Sequence, residues 1–262
     1  MEILVCVRRV PDTSENEIEL NAAGNDIERD ELVYSINEPD NYAVEEALQI
    51  RDRVGGNVTV VTLGAEDDEE ILRRQLAMGA NQAVLLYDEA FLGCDGKGIA
   101  TILKEFVQKG HYDLILTGVQ ADDGAAQVGG MLAAMLDYPF ASLVNAITVQ
   151  DGTLRISREI EGGNREINEI DLPCVLSIQT GINEPRYVGM RGIRQVASVA
   201  IPTVGASNLG IATGTVGEAV AKVQRLDYFV PALSKGAEML HGNREENAER
   251  VLELVGAKGG LK

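Results

Sequence analysis

The sequence predicts an α/β fold: a doubly wound, mainly parallel sheet, with an antiparallel β ribbon and a C-terminal extension that packs on a partner. Short apolar runs alternate with helical patterns in the first half of the chain, which is typical of parallel strands joined by right-handed crossovers. After residue 143 the hydrophobic period changes to two, and after Pro202 the chain becomes rich in glycine and weakly periodic. The 262 residues are 45% hydrophobic and include no Trp, so aliphatic side chains must form the core.

Four apolar runs predict the strands of the parallel sheet. They lack the alternation of half-buried strands, and they lie at residues 3–7, 58–63, 82–86 and 113–117. Apolar residues recur at helical spacing at residues 44–51, 67–78, 99–106 and 128–136. Residues 37–40 carry helix-start chemistry, and Gly55 with Gly56 ends the first helical pattern. We therefore expect strands and helices to alternate up to residue 136.

The second half of the chain predicts an antiparallel ribbon and a tail. Alternating residues run from 143 to 149 and from 154 to 160, and Asp151 with Gly152 supplies a hairpin turn between them. A buried strand follows at residues 174–178. The chain ends in a helix whose apolar face has too little surface to fold alone. We predict a nucleotide-binding domain with the ribbon at residues 1–205, and a C-terminal arm and helix at residues 206–262.

The charge balance and the apolar pattern exclude several classes of partner. The chain has 23 basic and 41 acidic residues, a net charge of -18, and no basic stripe that could neutralise nucleic-acid phosphates. No apolar run approaches the roughly 20 residues of a membrane-spanning helix. The amino terminus has the pattern of a strand rather than of a signal peptide. We expect a cytoplasmic protein with no nucleic-acid partner and no membrane span.

Cysteine and histidine give no sign of a metal or catalytic centre. Cys6, Cys94 and Cys174 are odd in number and widely spaced, which fits neither a disulfide framework nor a metal site. His111 and His241 stand alone, without a second ligand at metal-binding spacing. We therefore assign no catalytic residue and no metal ligand, and expect ordinary thiols.

The loop after the fourth predicted strand is the candidate ligand site. It ends in Asp122, Asp123 and Gly124 before a helix start that leaves backbone amides free, where open α/β sheets bind ligands. Gln127 can donate to and accept from a ribose or a base. The acid pair fits a solvated helix start equally well, and beside a phosphate it would repel rather than bind. The Gly-rich fingerprints of dinucleotide and triphosphate sites are missing, since residues 93–98 lack the spacing.

A second candidate segment follows the last buried strand. Its residues are Asn183, Glu184, Pro185, Arg186 and Tyr187, preceded by Ile182. It is either a turn with a local ion pair, worth about 1 kcal/mol or less, or a docking loop, since Arg and Tyr are enriched at interfaces. On the second interpretation we expect Ile182 to be an exposed anchor.

This segment, NEPRY at 183–187, together with REIEGG at 158–163 and Leu172-Pro173, resembles the signature region of electron-transfer flavoprotein β subunits. The stretches VCVRRVPDT at 5–13, AVEEAL at 43–48, AMGAN at 77–81 and GVQA at 118–121 follow in the order of that family. The resemblance runs from the first strand to about residue 233. The joint occurrence of these motifs is far more specific than any one of them.

The resemblance implies a domain that binds an adenine nucleotide and packs, as a heterodimer, against an α subunit holding the electron-transferring FAD. Carried onto matching positions, the nucleotide-binding residues are Cys6 and Val7 through their backbone, Arg8, Asn37, Asp40, Leu63, Gly64, Asp122, Asp123, Gly124, Gln127, Val128 and Gly129. The partner-recognition loop corresponds to residues 182–187. Two departures stand out: the loop at residues 120–127 is one residue shorter than the family form, and residues 195–198 replace a Lys-rich stretch. Partner choice is expected to differ accordingly.

The stretch VPDT at residues 10–13 is more similar to bifurcating and nitrogen-fixation-associated members than to AMP-holding ones. It implies a second FAD in the crevice, NADH as an electron donor, and an acyl-CoA dehydrogenase-type or quinone-linked acceptor. Arg8 and Arg9 would then lie near the flavin ring, where their charge could stabilise a reduced, anionic flavin; otherwise they are solvated surface arginines. The alternatives are AMP in this subunit with FAD in the α subunit, and a stand-alone stress-type nucleotide-binding domain. A nucleotide-dependent ligase is disfavoured because its Ser-Gly-Gly loop is missing.

Overall fold

The computed structural model describes residues 1–121, 124–232, 236–237 and 239–260. The strands are β1 (Glu2–Cys6), β2 (Arg9–Pro11), β3 (Tyr34–Ile36), β4 (Asn57–Leu63), β5 (Gln82–Leu86), β6 (Leu114–Gly118), β7 (Phe140–Gln150), β8 (Thr153–Ile160), β9 (Asn164–Asp171), β10 (Cys174–Ile178) and β11 (Thr203–Val204). The helices are α1 (Glu38–Val54), α2 (Glu69–Met78), α3 (Gly96–Val107), α4 (Val128–Leu136), α5 (Met190–Val196), α6 (Ala206–Leu209) and α7 (Arg244–Ala257).

The chain divides into two compact units. The larger comprises Met1–Glu19 and Glu28–Leu226, and the smaller comprises Leu20–Ile27 and Asp227–Lys262. The domain boundary at residue 205 stays a prediction.

The larger unit is built on a nine-stranded sheet in the order β11, β5, β4, β1, β6, β10, β7, β8, β9. From β11 to β7 neighbouring strands are parallel, and β8 and β9 continue the sheet in antiparallel pairs. The mainly parallel sheet predicted from the apolar runs is confirmed. Each predicted run coincides with an observed strand to within one residue at either end.

Helices cover both faces of the parallel part of the sheet. Val44 of α1 and Leu72 of α2 pack into a core on one face, with Ile3 and Val5 of β1. On the other face a second core contains Leu4 of β1 together with buried residues of α3 and α4, namely Ile102, Leu103, Leu132 and Ala133. Successive residues of a strand point to opposite faces, so β1 serves both cores. The fold is therefore doubly wound, as predicted.

Helix α1 begins and ends where its sequence signals lie. Pro39 stands in its first turn, where a missing N–H costs nothing, beside the acidic residues Glu38 and Asp40. At the other end Gly55 adopts a positive φ of 78°, which a residue without a Cβ reaches without strain. These signals fix the helix independently of what it packs against.

The ribbon is confirmed and has one more strand than predicted. β7 and β8 pair antiparallel up to Gln150 and Thr153, so Asp151 and Gly152 form the hairpin turn. β9 then pairs with β8 along its whole length, from Ile160 opposite Asn164 to Thr153 opposite Asp171. This strand escaped prediction because its sequence NREINEID is mostly polar. An exposed outer strand has no need of a continuous apolar face.

The smaller unit contains the predicted C-terminal helix. Helix α7 is capped by Asn243, whose side chain accepts the N–H groups of Glu245 and Glu246. No residue of α7 is buried, and its apolar residues Val251, Leu252 and Val255 are exposed. Elsewhere in this unit an isolated antiparallel bridge joins Leu20 to Ile27.

Candidate functional site

The candidate site lies where the strand order of the sheet reverses. From β1 the chain moves to β4 and β5 on one side, and β6 is then added on the other side of β1. Ligands of open α/β sheets bind outside the carboxyl ends of the strands at such a point. There the structure has a cleft of about 1140 Å³, which is at the large end for a ligand pocket.

Most of the predicted nucleotide-binding residues line this cleft. They are Cys6, Val7, Arg8, Asp40, Leu63, Gly124, Gln127, Val128 and Gly129. Asn37 lies outside the lining, and Gly64 lines a smaller pocket of about 210 Å³ that shares Arg8 and Leu63 with the cleft. Asp122 and Asp123 fall outside the described residues. The fold thus brings together residues from four separate stretches of sequence, and nucleotide binding by them stays a prediction.

Asp40 joins the two strand ends that form the floor of the cleft. Its Oδ2 accepts the N–H of Arg8, just after β1, at 2.8 Å, and its Oδ1 accepts the N–H of Gly118, at the end of β6, at 2.9 Å. The side chain is buried in the first turn of α1. Burial raises the pKa of Asp40 to about 7, against the opposing effect of these hydrogen bonds. A single carboxylate therefore ties together the backbone at the ends of β1 and β6, which are neighbours in the sheet.

Asn37 supports the same floor from the side away from the cleft. Its backbone N–H donates to the carbonyl of Arg8 at 2.8 Å, and its Nδ2 donates to the carbonyl of Gln120 at 2.9 Å. The residue is fully buried. Asn37 therefore holds the loops that follow β1 and β6 rather than lining the cleft itself.

The end of β1 has its polar groups largely occupied. The N–H of Val7 donates to the carbonyl of Val61 at 2.9 Å, and its carbonyl accepts the hydroxyl of Thr62 at 2.8 Å. Burial raises the pKa of the neighbouring Cys6 thiol to about 12, so this cysteine stays neutral.

The start of α4 forms a close-fitting wall of the cleft. A Cβ on Gly129 would lie 2.6 Å from Ser177 Oγ and 2.9 Å from Thr117 Oγ1, two buried hydroxyls that hydrogen-bond each other. Only glycine lets the helix start sit this close to the sheet. Gln127 at the N-cap makes no side-chain capping bond within the described part of the chain. The first amides of α4 are suited to an anionic group.

Arg9 gives the cleft a flat, positively charged surface. Its guanidinium carbon lies 3.9 Å from the centroid of the Tyr34 ring, and its Nη1 lies 3.4 Å from Asp68 Oδ1. Arg9 and Tyr34 belong to β2 and β3, which form a separate two-stranded antiparallel sheet. All three side chains line the cleft. The side chain of Arg9 is 19% exposed and largely enclosed, and its place beside a flavin ring stays a prediction.

Two segments that line the cleft were not among the predicted site residues, and neither were the single residues Tyr34 and Asp68. One is the loop at residues 93–96, which we set aside because it lacks phosphate-loop spacing. The other is the strap, residues 216–225, whose lining residues are Glu218, Ala221, Val223, Gln224 and Arg225. The cluster of glycines around Cys94 was a usable signal, since glycines mark close backbone approach. The strap has no apolar period, so its sequence gave no signal of this role.

The predicted docking segment is anchored on α1 and exposes one aromatic ring. Arg186 donates from Nε and Nη2 to the carboxylate of Glu45 at 2.8 and 3.0 Å. Asn183 donates from Nδ2 to the Tyr42 carbonyl at 3.1 Å. Ile182, expected to be exposed, is half-buried and packs against the first core, whereas Tyr187 is 90% exposed. The exposed large side chain of this segment is therefore Tyr187 rather than Ile182.

Comparisons with known proteins agree with this architecture. The family described as "Electron transfer flavoprotein domain" matches residues 25–209. The chain is 35% identical over 262 residues to the "Electron transfer flavoprotein subunit beta" of Methylophilus methylotrophus, covering 97% of this chain and 98% of that protein.

Two further relatives carry other names. The "Caffeyl-CoA reductase-Etf complex subunit CarD" of Acetobacterium woodii is 35% identical, covering 92% of each chain. The "Protein FixA" of Azotobacter vinelandii is 36% identical, covering 71% of this chain and 68% of that protein. Among the described residues, no helix has the length and apolar character needed to cross a membrane.

Proposed function

We propose, because this chain belongs to the electron transfer flavoprotein family as a β-type subunit, that it forms a heterodimer with an α subunit and holds an FAD in the cleft. The complex would take electrons from NADH and pass them to an acyl-CoA dehydrogenase-type or quinone-linked acceptor, by bifurcation. Bound FAD would supply the electron-accepting chemistry that side chains cannot. What this chain supplies is the binding surface and its charge.

The observation that carries the proposal is the extent of the cleft. Its lining begins at the amides of α4, which suit a phosphate, and includes the stacked Arg9 and Tyr34. A mononucleotide needs an adenine pocket and one phosphate site; a flavin also needs a flat surface for its ring. Arg9 offers that surface, and its positive charge favours an electron-rich ring beside it. This supports FAD over AMP in the subunit.

The names of two relatives support the wider role. The CarD protein is named as part of a complex with a CoA-ester reductase, and the Methylophilus protein is named as a β subunit. We infer by analogy a paired α subunit and an acceptor that acts on a CoA ester. The exposed Tyr187, on a segment fixed to α1 by Arg186, supports docking of that acceptor at residues 182–187.

The test is the cofactor content of the intact complex. Acid extraction of the heterodimer followed by chromatography should give two FAD and negligible AMP per complex. One FAD with one AMP would favour the AMP-holding alternative, in which the chain belongs to a simple electron carrier.

A matched pair of variants tests the role of Arg9. Arg9→Gln should lower the FAD content of this subunit or replace it by AMP, since it removes the stacked charge. Arg155→Gln makes the same change of charge on the exposed side of β8 and should leave both contents unchanged. Equal cofactor contents in the two variants would remove Arg9 from the binding surface.

A further inference from the structure

The strap is attached to the rest of the larger unit at three points. Val216 is buried in the second core. The N–H of Gly217 donates to Cys94 Sγ at 3.1 Å, and the N–H of Glu218 donates to the Leu92 carbonyl at 3.0 Å. Further along, the N–H groups of Lys222 and Val223 both donate to Asp95 Oδ2, at 2.6 and 3.3 Å. These contacts tie the strap to the loop that precedes α3.

The first two attachments are shaped for close approach. A Cβ on Gly93 would lie 2.6 Å from the Cβ of Glu218, and a Cβ on Gly217 would lie 2.7 Å from the Ala90 carbonyl oxygen. Both glycines have positive φ, at 69° and 98°. Any other residue at either position would push the strap away from the loop or strain the backbone. The strap therefore has one defined position against the loop that precedes α3.

Asp95 connects the strap to helix α3. Its Oδ1 caps α3 by accepting the N–H of Gly98 at 2.9 Å, and its Oδ2 holds the strap at residues 222 and 223. The residues that follow, Gln224 and Arg225, line the cleft. The two oxygens thus have separable tasks: Oδ1 caps the helix, and Oδ2 holds the strap.

We propose that the strap is the outer wall of the nucleotide cleft and that Asp95, by holding it, is a positioning residue that sets how long a bound adenine nucleotide is retained. The inference rests on the proposed nucleotide-binding function. Loss of the Oδ2 contacts would release the backbone of Lys222 and of the cleft-lining Val223, while the strands, α4 and Asp40 would still bind the ligand. The main effect falls on dissociation rather than on association.

The conservative variant Asp95→Asn separates the two tasks. Asparagine caps a helix as well as aspartate does, so its Oδ1 keeps the bond from Gly98. Its Nδ2 would replace Oδ2, placing a donor against two N–H donors. The variant therefore breaks the hold on the strap and leaves α3 intact.

The chain offers a matched control in Asp88. Its Oδ1 accepts the N–H of Ala90 at 3.0 Å and its Oδ2 accepts the N–H of Ala206 at 2.9 Å, so it also caps a short helix and ties down a distant segment. That segment, the start of α6, does not line the main cleft. Asp88→Asn makes the same chemical change at a carboxylate whose hydrogen bonds go to Ala90 and Ala206 rather than to the strap.

The experiment measures release of FAD and of AMP, each as a separate probe, from the full-length chain in three forms: unchanged, Asp95→Asn and Asp88→Asn. FAD release is followed by flavin fluorescence, and AMP release by chase of the radiolabelled nucleotide. Asp95→Asn should raise the dissociation rate of the retained nucleotide about tenfold, the effect of losing one charge-assisted hydrogen bond. The Asp88→Asn rate should stay within about twofold of the unchanged chain, because its segment lies off the cleft.

Hydrogen exchange provides the second readout. The amides of residues 222 and 223 should exchange faster in Asp95→Asn than in Asp88→Asn, with thermal unfolding unchanged between the two. If the unchanged chain retains a nucleotide and both variants release it at the same rate, the inference falls and the proposed function stands. If the unchanged chain retains neither nucleotide, both fall together.

Discussion

Helix α1 carries three buried carboxylates, Asp40, Glu45 and Glu46. Asp40 at the cleft and Glu45 at the docking segment are in opposite electrostatic states. Burial raises the pKa of Asp40 to about 7, against hydrogen bonds from the side chain of Asn37 and from the backbone N–H groups of Arg8 and Gly118. Burial also acts to raise the pKa of Glu45, but the hydrogen bonds from Arg186 and Gln49 outweigh it, and the pKa lies below its ordinary value. Hydrogen bonds from Arg186 and Gln49 therefore decide the direction at Glu45, whereas burial decides it at Asp40 and Glu46.

Asp40 and Glu45 therefore have different tasks. A carboxylate held by neutral amides changes its charge near neutral pH, and Asp40 lies where strand ends meet the ligand cleft. A carboxylate paired with a guanidinium keeps its charge, and Glu45 holds a segment that exposes Tyr187. The charge of Asp40 is therefore sensitive to pH near neutrality, whereas the charge of Glu45 is not.

The largest expected effect is the contribution of Asp40 to the pH dependence of the free energy of unfolding. Because the folded pKa of Asp40 is raised from 3.8 to about 7, the folded state binds the extra proton between these values. The Asp40 contribution is fully present below about pH 4 and is lost as the pH rises to about 7, at up to about 1.4 kcal/mol per pH unit. The difference in free energy of unfolding between the unchanged chain and Asp40→Asn, measured by urea titration, should fall across this window. A constant difference would contradict the assignment.

The next effect concerns Glu45 and has the opposite sign with pH. Glu45→Ala should lower the free energy of unfolding at pH 7 by about 2 kcal/mol, since it leaves Arg186 without its bidentate partner. The loss in free energy of unfolding is limited to this value because the Arg186 side chain is 38% exposed and can reach water. The loss should shrink as the pH falls below 4.5, the ordinary value for Glu45, because the pair then loses its charge.

A double variant sharpens this second prediction. If the loss in Glu45→Ala reflects the pair, Glu45→Ala combined with Arg186→Ala should cost less than the sum of the single changes. If the losses measured by urea unfolding simply add, Glu45 acts through packing alone. Asp40 and Glu45 would then differ only in burial.

The smallest effect on stability is expected at Tyr187. Tyr187→Ala should change the free energy of unfolding by less than about 0.5 kcal/mol, because the ring is exposed. It should slow electron transfer to the acceptor without loss of flavin. Ile167→Ala is the control, as it truncates another exposed apolar side chain, on β9. Equal transfer rates in the two variants would place docking elsewhere.

The sequence predicted the parallel sheet and the floor of the site because both depend on local signals. Unbroken apolar runs identified the strands, and the motif at residues 37–40 identified the start of α1. The sheet order then brought Cys6, Asp40 and Gly129 to one cleft. Nothing in their spacing showed that Asp40 would bond to both strand ends, because such contacts depend on the register between distant strands.

The parts that escaped prediction are those held by backbone contacts. The strap is fixed by N–H groups that donate to Cys94, Leu92 and Asp95, and backbone donors leave no mark in a sequence. The strand β9 pairs with β8 through backbone bonds and needs few apolar residues. Ile182 was expected at the surface because the order of residues in the docking segment cannot show which side chain the core receives.

The strand β9 also has a bearing on how the chain behaves when it is made in excess. It is the outermost strand of the sheet on its side, and an outer strand offers unpaired backbone groups to any other extended chain. Along its eight residues stand Arg165, Glu166, Glu169 and Asp171. Two copies laid edge to edge would bring acidic side chains together, which opposes aggregation through this edge. The polar sequence that hid β9 from prediction therefore protects the sheet from polymerisation.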